Sequence, residues 1–255
     1  MNPTSPLPPT GPVRASGRRT LLLGAGAMAL AIVPALGVLA PWAHAADAVA
    51  LPPPEFDPPP RGTAPAFETA VLAGGCFWGV QGVFQHVAGV ASAVSGYTGG
   101  RAGMATYARV STGTTGHAEA VRIVYDPQRI RYGQLLQIFF SVAHDPTQLN
   151  RQGPDDGTQY RSAIFPANAE QERVARGYIA QLNRGRSFGK PLATTIEPWA
   201  AFHPAEPYHQ DFLTLNPAHP YIVAHDLPKV ANLQRTFPAV YRAQPVRTGA
   251  EAGKG

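Results

Sequence analysis

Between residues 67 and 242 the chain alternates short β-type runs with apolar side chains at helical spacing. Thr69-Ala70-Val71-Leu72-Ala73 is a short buried-strand pattern that stops at Gly74-Gly75. Phe77, Val80, Val83, Phe84 and Val87 then recur every three or four positions, which predicts a helix starting near Cys76. Val90 to Tyr97 reads as a strand closed by Gly99-Gly100, and Ala120 to Tyr125 as a strand closed by Asp126-Pro127. Tyr132, Leu135, Leu136, Phe139, Phe140 and Ala143 share one face of a second helix. A long loop is expected from His144 to Gln159. A strand from Tyr160 to Phe165, a helix from Asn168 to Leu182 and a strand from Thr194 to Ile196 follow. Two βα steps in this order predict a sheet covered by helices.

The flanks have a different character. Arg18-Arg19 stands directly before an uncharged run from Thr20 to Ala46, and Ala43-His44-Ala45 offers small residues at signal-peptidase spacing. Residues 1–45 therefore read as a twin-arginine signal peptide, cleaved before Ala46, which places the protein in the periplasm. The alternative is a retained anchor facing the periplasm, since the run is just long enough to span a bilayer. Gly24, Gly26, Pro34 and Gly37 weaken it as a span. Residues 46–66, with Leu51-Pro52-Pro53-Pro54 and Asp57-Pro58-Pro59-Pro60, read as a stiff Pro-rich linker. Residues 67–242 form the expected domain, and 243–255 a disordered tail.

Charge changes little. The formal net charge is +5, but the first 45 residues hold Arg14, Arg18 and Arg19 and no acidic residue. The remainder carries 18 basic against 16 acidic side chains, without the basic stripe that binds phosphates, so no nucleic-acid partner is expected. Cysteine usage changes more. The chain has one cysteine, so an internal disulfide is impossible. A lone thiol in an oxidising compartment is either buried and inert or kept because it reacts.

Gly74-Gly75-Cys76-Phe77-Trp78-Gly79 puts that cysteine where a strand turns into a helix. Unpaired N–H groups at a helix start favour thiolate and can lower a cysteine pKa from about 8.5 to roughly 3.5–7.5. Phe77 and Trp78 would form an apolar wall beside it. The bland alternative is a small buried cysteine among core aromatics. Glu119 opens the strand at Ala120 with apolar residues behind it, a position that can raise a carboxyl pKa and make it a proton donor. A surface glutamate is the commoner case. Asp155 and Tyr160 lie at a loop-to-strand junction, where a polar turn explains them equally well, and Tyr107 is ambiguous in isolation.

Six blocks in order resemble the A-type peptide methionine sulfoxide reductases. They are Gly75 to Gly79, Gly96 to Gly100, Thr115 to Glu119, His144 to Thr147, Gly157 to Ser162 and Phe202 to Gln210. The resemblance spans most of residues 67–242. It implies an α+β fold, a two-layer α/β sandwich with a ferredoxin-like mixed sheet covered by helices and long loops. It further implies reduction of methionine-S-sulfoxide, free or in proteins, with Cys76 as nucleophile and Glu119 as the acid that protonates the sulfoxide oxygen. Tyr107 and Tyr160 would bond that oxygen, Asp155 would stand near it, and Phe77 and Trp78 would hold the methyl group. The enzyme class reverses methionine oxidation and leaves its own cysteine as a sulfenic acid. No bound cofactor or metal is expected, and the protein is expected to be a monomer.

Many relatives carry further cysteines that resolve the sulfenic acid. Here Ser111 stands where some have cysteine, and the segment after Asn216-Pro217 has none. An external reductant, a thioredoxin-like protein or a small thiol, is therefore implied. Three other readings compete. A thiol hydrolase would pair Cys76 with one of His86, His117, His144, His203 or His209. A metal site could use His203, Glu206 and His209, though Pro204 and Pro207 break their spacing. A periplasmic binding module would bury Cys76 and leave it inert.

Overall fold

The structure is a computed structural model that describes residues 47–59 and 67–248. The signal segment, the rest of the Pro-rich stretch and the last residues of the tail lie outside the described residues. Strand β1 (Glu68–Gly74) leads into α1 (Phe77–Gln85), followed by β2 (Val90–Thr98), the short α2 (Tyr107–Val110) and β3 (Ala118–Tyr125). Then come α3 (Tyr132–Ile138), the two-residue strands β4 (Arg151–Gln152) and β5 (Asp155–Asp156), β6 (Ser162–Phe165) and α4 (Ala169–Arg184). The chain closes with β7 (Thr195–Ile196), β8 (His203–Pro204), α5 (Phe212–Leu215) and α6 (Leu227–Thr236).

The main sheet has the order β7-β6-β1-β3-β2-β8, antiparallel except for the β6–β7 pair. Its four central strands with α1 and α3 form the ferredoxin-like β-α-β-β-α-β unit that the resemblance implied. Alternation along the strands separates two faces. Ala70, Leu72, Val121, Ile123, Tyr125 and Ile164 join the main core, which includes side chains of α1, α3, α4 and α6. Val71, Ala73, Ala118, Ala120, Ala163 and Phe165 form a smaller cluster, with Phe202 packed against it. Glu119 has the parity of Val121 and Ile123, so the strand that buries those residues also turns this carboxyl toward the helical face. The sandwich is thus two-layered.

Boundaries shift for identifiable reasons. Helix α4 starts one residue late because Asn168 is its cap, its side chain accepting from the Gln171 N–H at 2.9 Å, an interaction worth about 1 kcal/mol. Tyr160 belongs to a 3₁₀ turn, Thr158–Tyr160, and the strand begins at Ser162. Apolar spacing carries the second helix through Ala143, whereas its end, Phe139–Ala143, is a π-turn.

The Pro-rich stretch is no free spacer where it is described. Proline lacks an N–H but keeps its carbonyl, and Tyr178 and Gln181 of α4 donate to the Pro52 and Pro53 carbonyls at 2.7 and 2.9 Å. Leu51 is buried, and the Val49 N–H donates to the Ser141 carbonyl at 3.0 Å. The start of the expected tail is also tied down: Val246 N–H meets the Gln85 carbonyl at 2.9 Å, and Thr248 N–H meets Asp211 Oδ1 at 2.9 Å. The domain therefore extends beyond 67–242 at both ends.

Candidate active site

The carboxyl end of β1 and the amino end of β3 lie at one edge of the sheet, because these strands run antiparallel. Cys76 follows β1 and caps α1, and Glu119 is the second residue of β3. Gly75 makes the turn with φ +88°, and a Cβ there would fall 2.5 Å from Gln152 Cγ. Glycine meets both demands. The Phe77 N–H, one of the unpaired donors at the start of α1, points at Glu119 Oε2 across 3.1 Å. Sequence patterning anticipated both residues, and the fold brings them to one helix terminus.

Glu119 is almost fully buried, and desolvation pushes its pKa up to about 8, with the Phe77 N–H pulling the other way. It therefore carries its proton at neutral pH. The Cys76 thiol is pushed up as well, first by burial, then by Glu119, Asp226 and Asp155. The Trp78 N–H opposes them, as expected at a helix start, but is outweighed. The resting sulfur is a thiol, which differs from the thiolate that the helix start alone predicts. The first cause is burial of the sulfur, to which Asp226 and Asp155 from distant segments add. Cys76 is buried, with 8% of the residue exposed.

Tyr107, at the start of α2, and Tyr160 both lie in the field of Glu119, Cys76 and Asp155. Burial, then Glu119, raises both phenols, so their hydroxyls stay protonated donors. Tyr107 is fixed by its N–H, which donates to Glu206 Oε1 at 2.9 Å, while Tyr97 donates to the other oxygen of Glu206. Asp155, on the β4–β5 hairpin, receives the Tyr221 hydroxyl. Trp78 is stacked on Phe212 at 3.8 Å and 10°, and its indole N–H donates to His209 Nδ1 at 3.1 Å. Phe77 is buried against Tyr97 and His209. Glu119, Asp155, Tyr107 and Tyr160 thus share one electrostatic environment with the Cys76 thiol, and Phe77 and Trp78 follow it in the first turn of α1.

Sequence reading missed Tyr221 and Asp226 and gave Glu206 and His209 no place beside Tyr107 and Trp78. Asp226 is fully buried and its carboxylate lies against Gly79, in the first turn of α1, with Lys229 Nζ at 3.0 Å. Only a residue without Cβ leaves room for it. An acidic residue between buried Ile222 and Leu233 was the available signal.

The alternative sites lose their geometry. Glu206 is occupied by Tyr97 and Tyr107 and His209 by Trp78, and no group of three metal-type ligands forms among the described residues. His144 bonds the Phe139 carbonyl and Ser162, and burial lowers it to about 3. None of the histidines bonds the sulfur among the described residues, and His144, His117 and His209 are engaged elsewhere.

A sheet-edge thiol at a helix start, beside a protonated carboxylic acid and two phenols, defines a thiol-dependent oxidoreductase site. The sequence matches the peptide methionine sulfoxide reductase family over residues 68–240. A peptide methionine sulfoxide reductase MsrA 2 of Mesorhizobium japonicum is 64% identical over 72% of this chain and 94% of its own. Another, from Synechocystis sp., is 53% identical over 71% and 85%. Among solved structures, reduced Mxr1 of Saccharomyces cerevisiae aligns with TM-score 0.56 and 33% identity, covering 63% of this chain and 91% of that one. Methionine sulfoxide reductase A of Corynebacterium diphtheriae aligns with TM-score 0.53 and 32% identity, covering 68% and 90%. The chain belongs to the peptide methionine sulfoxide reductase family.

Proposed function

We propose that the protein reduces methionine-S-sulfoxide, free or in oxidised proteins, to methionine, with Cys76 as the atom that is oxidised. The observation that carries this is Glu119, a carboxyl group protonated at neutral pH and held 3.1 Å from the amide that follows Cys76. Sulfoxide sulfur is a poor electrophile until its oxygen is protonated or strongly hydrogen-bonded. Glu119 gives its proton to that oxygen, and Tyr107 and Tyr160 donate hydrogen bonds to it. The carboxylate left behind takes the thiol proton, so Cys76 attacks as a thiolate. The S–O bond of the substrate breaks, Cys76 gains the oxygen as a sulfenic acid, and methionine leaves as a sulfide. Trp78 and Phe77 form the apolar wall for the S-methyl group, and Asp155, held by Tyr221, borders it.

Two sulfoxide epimers offer a direct test. With a thiol reductant present, the S form should be consumed to completion and the R form left untouched, as chiral chromatography would read. Equal consumption of both would refute the proposed pocket.

The single cysteine makes the recycling reductant external, a thioredoxin-like protein or a small thiol. Arg18-Arg19, the uncharged run and Ala43-His44-Ala45 support twin-arginine export and a periplasmic repair enzyme. No helix among the described residues is long and apolar enough to cross a membrane. N-terminal sequencing of the periplasmic fraction should begin Ala46-Asp47. Recovery of the uncleaved chain in membranes would favour the anchored alternative.

A further inference from the structure

One stripe of α1, Trp78, Gln81, Gly82 and Gln85, faces a single segment, His209 to Leu213. Its spacing is that of residues stacked one turn apart on a helix. Trp78 meets His209 and Phe212. Gly82 leaves the room that Leu213 fills, since a Cβ there would fall 2.6 Å from Leu213 Cδ1. Between these contacts stands Asp211. Its φ of +57° lies in the left-handed region, where a side chain other than glycine persists only if its surroundings fix it.

Those surroundings are specific. The Asp211 N–H donates to Gln81 Oε1 at 2.9 Å, and its Oδ1 accepts from Gln85 Nε2 at 2.6 Å. Both glutamines are buried, as is Asp211. The remaining partners come from the C-terminal tail. The Thr248 N–H donates to Asp211 Oδ1 at 2.9 Å, and Arg247 Nε lies 3.7 Å from Oδ2. The tail reaches this point along the end of α1, where the Gln85 carbonyl accepts from the Val246 N–H at 2.9 Å and from Arg242 Nε at 3.1 Å. A helix end leaves such carbonyls without partners of its own. The Thr248 hydroxyl also donates to the Ala93 carbonyl of β2 at 3.2 Å, which fastens the tail to the sheet.

His209 and Phe212 lie within two residues of Asp211 and hold the Trp78 ring, one by a hydrogen bond and the other by a stacked face. If Asp211 left the left-handed region, the chain direction between them would change, and Trp78 could not keep both. We propose that Asp211 is a positioning residue for the methyl-binding wall, and that Arg247 and Thr248 complete the socket that holds it. The proposal rests on the reading of Trp78 as that wall in sulfoxide reduction. The tail acts on the substrate through three links: tail to Asp211, Asp211 to His209 and Phe212, and these two to Trp78. None of the links passes through Glu119 or the thiol, so substrate binding should suffer more than bond breaking.

The test follows the single-turnover methionine burst of the whole protein at rising methionine-S-sulfoxide. Asp211→Gly suits the left-handed backbone but removes the carboxyl group. Its burst should need at least about fivefold more substrate to reach half its maximal rate, while that maximal rate falls by less than about threefold. Thr248→Pro removes the tail N–H and should raise the half-saturating concentration by about twofold or more. Asp211→Asn keeps an Oδ1 acceptor and tolerates the left-handed region, so it should stay within about twofold of wild type. An unchanged half-saturating concentration in Asp211→Gly would overturn the inference. A loss confined to the maximal rate, or one equally large in Asp211→Asn, would make Asp211 a structural residue only and overturn it as well. Should Asp211→Gly fail to fold, Thr248→Pro decides alone: a raised half-saturating concentration supports the socket, and an unchanged one refutes it. A wild-type protein without any burst would instead sink the sulfoxide chemistry on which the wall depends.

Discussion

Replacing Cys76 by serine should lower the turnover of methionine-S-sulfoxide by at least about 10⁴-fold, since no other group at the site can take up the oxygen. The chain has no second cysteine to substitute, even inefficiently. The fold should survive. Cys76 makes no side-chain capping bond to α1, and serine is nearly isosteric and a better cap residue. A thermal midpoint close to wild type, together with lost activity, would separate chemistry from folding. Retained turnover in the folded variant would move the nucleophile elsewhere.

Glu119→Gln should have the second largest effect, and in two opposite directions. Glutamine can still accept from the Phe77 N–H, so the helix start is kept, but it cannot pass on a proton. The single-turnover methionine burst should slow by about tenfold to 10³-fold, in the range of general-acid contributions. Stability should move the other way. Burial raises the folded pKa of Glu119 from 4.5 to about 8, so between these values the native state holds a proton that the unfolded chain has released. Native stability therefore falls as pH rises through that window. A glutamine, neutral at every pH, escapes the loss. The variant should gain little near pH 4.5 and on the order of 3–5 kcal/mol above pH 8. Denaturant melts across that range check the sign. A variant less stable than wild type at pH 8, or one with an unchanged burst, would contradict the buried-acid assignment.

Much of this site is local in sequence. Gly74-Gly75-Cys76 follows an apolar run and opens a helical pattern, so the strand, the turn and the sulfur at a helix start can be read together. Glu119 can be read because a strand's two-residue period puts it on the face of Val121 and Ile123, which are buried. The electrostatic outcome at the thiol is not legible in the same way. The Trp78 N–H is local, but Asp226 and Asp155 arrive by tertiary packing, and their distance from Cys76 has no signature in spacing.

The irregular parts are the least legible. Tyr221 sits at the edge of a π-turn, Ile222–Asp226, which breaks the 3.6-residue period that identifies helices. The Pro-rich stretch misleads because its composition reports the missing N–H groups. Its binding to α4 uses carbonyls, which every proline retains. His209 and Glu206 are visible as chemistry-bearing residues, but their residue types suggest metal ligands. The structure uses one to hold Trp78 and the other to hold Tyr107.

Mass spectrometry of the Cys76 peptide, after one equivalent of methionine-S-sulfoxide and no reductant, tests the sulfur's role most directly. The account predicts one added oxygen, trappable by a sulfenic-acid reagent, in step with one methionine released per chain. Methionine released while Cys76 stays unmodified would contradict it.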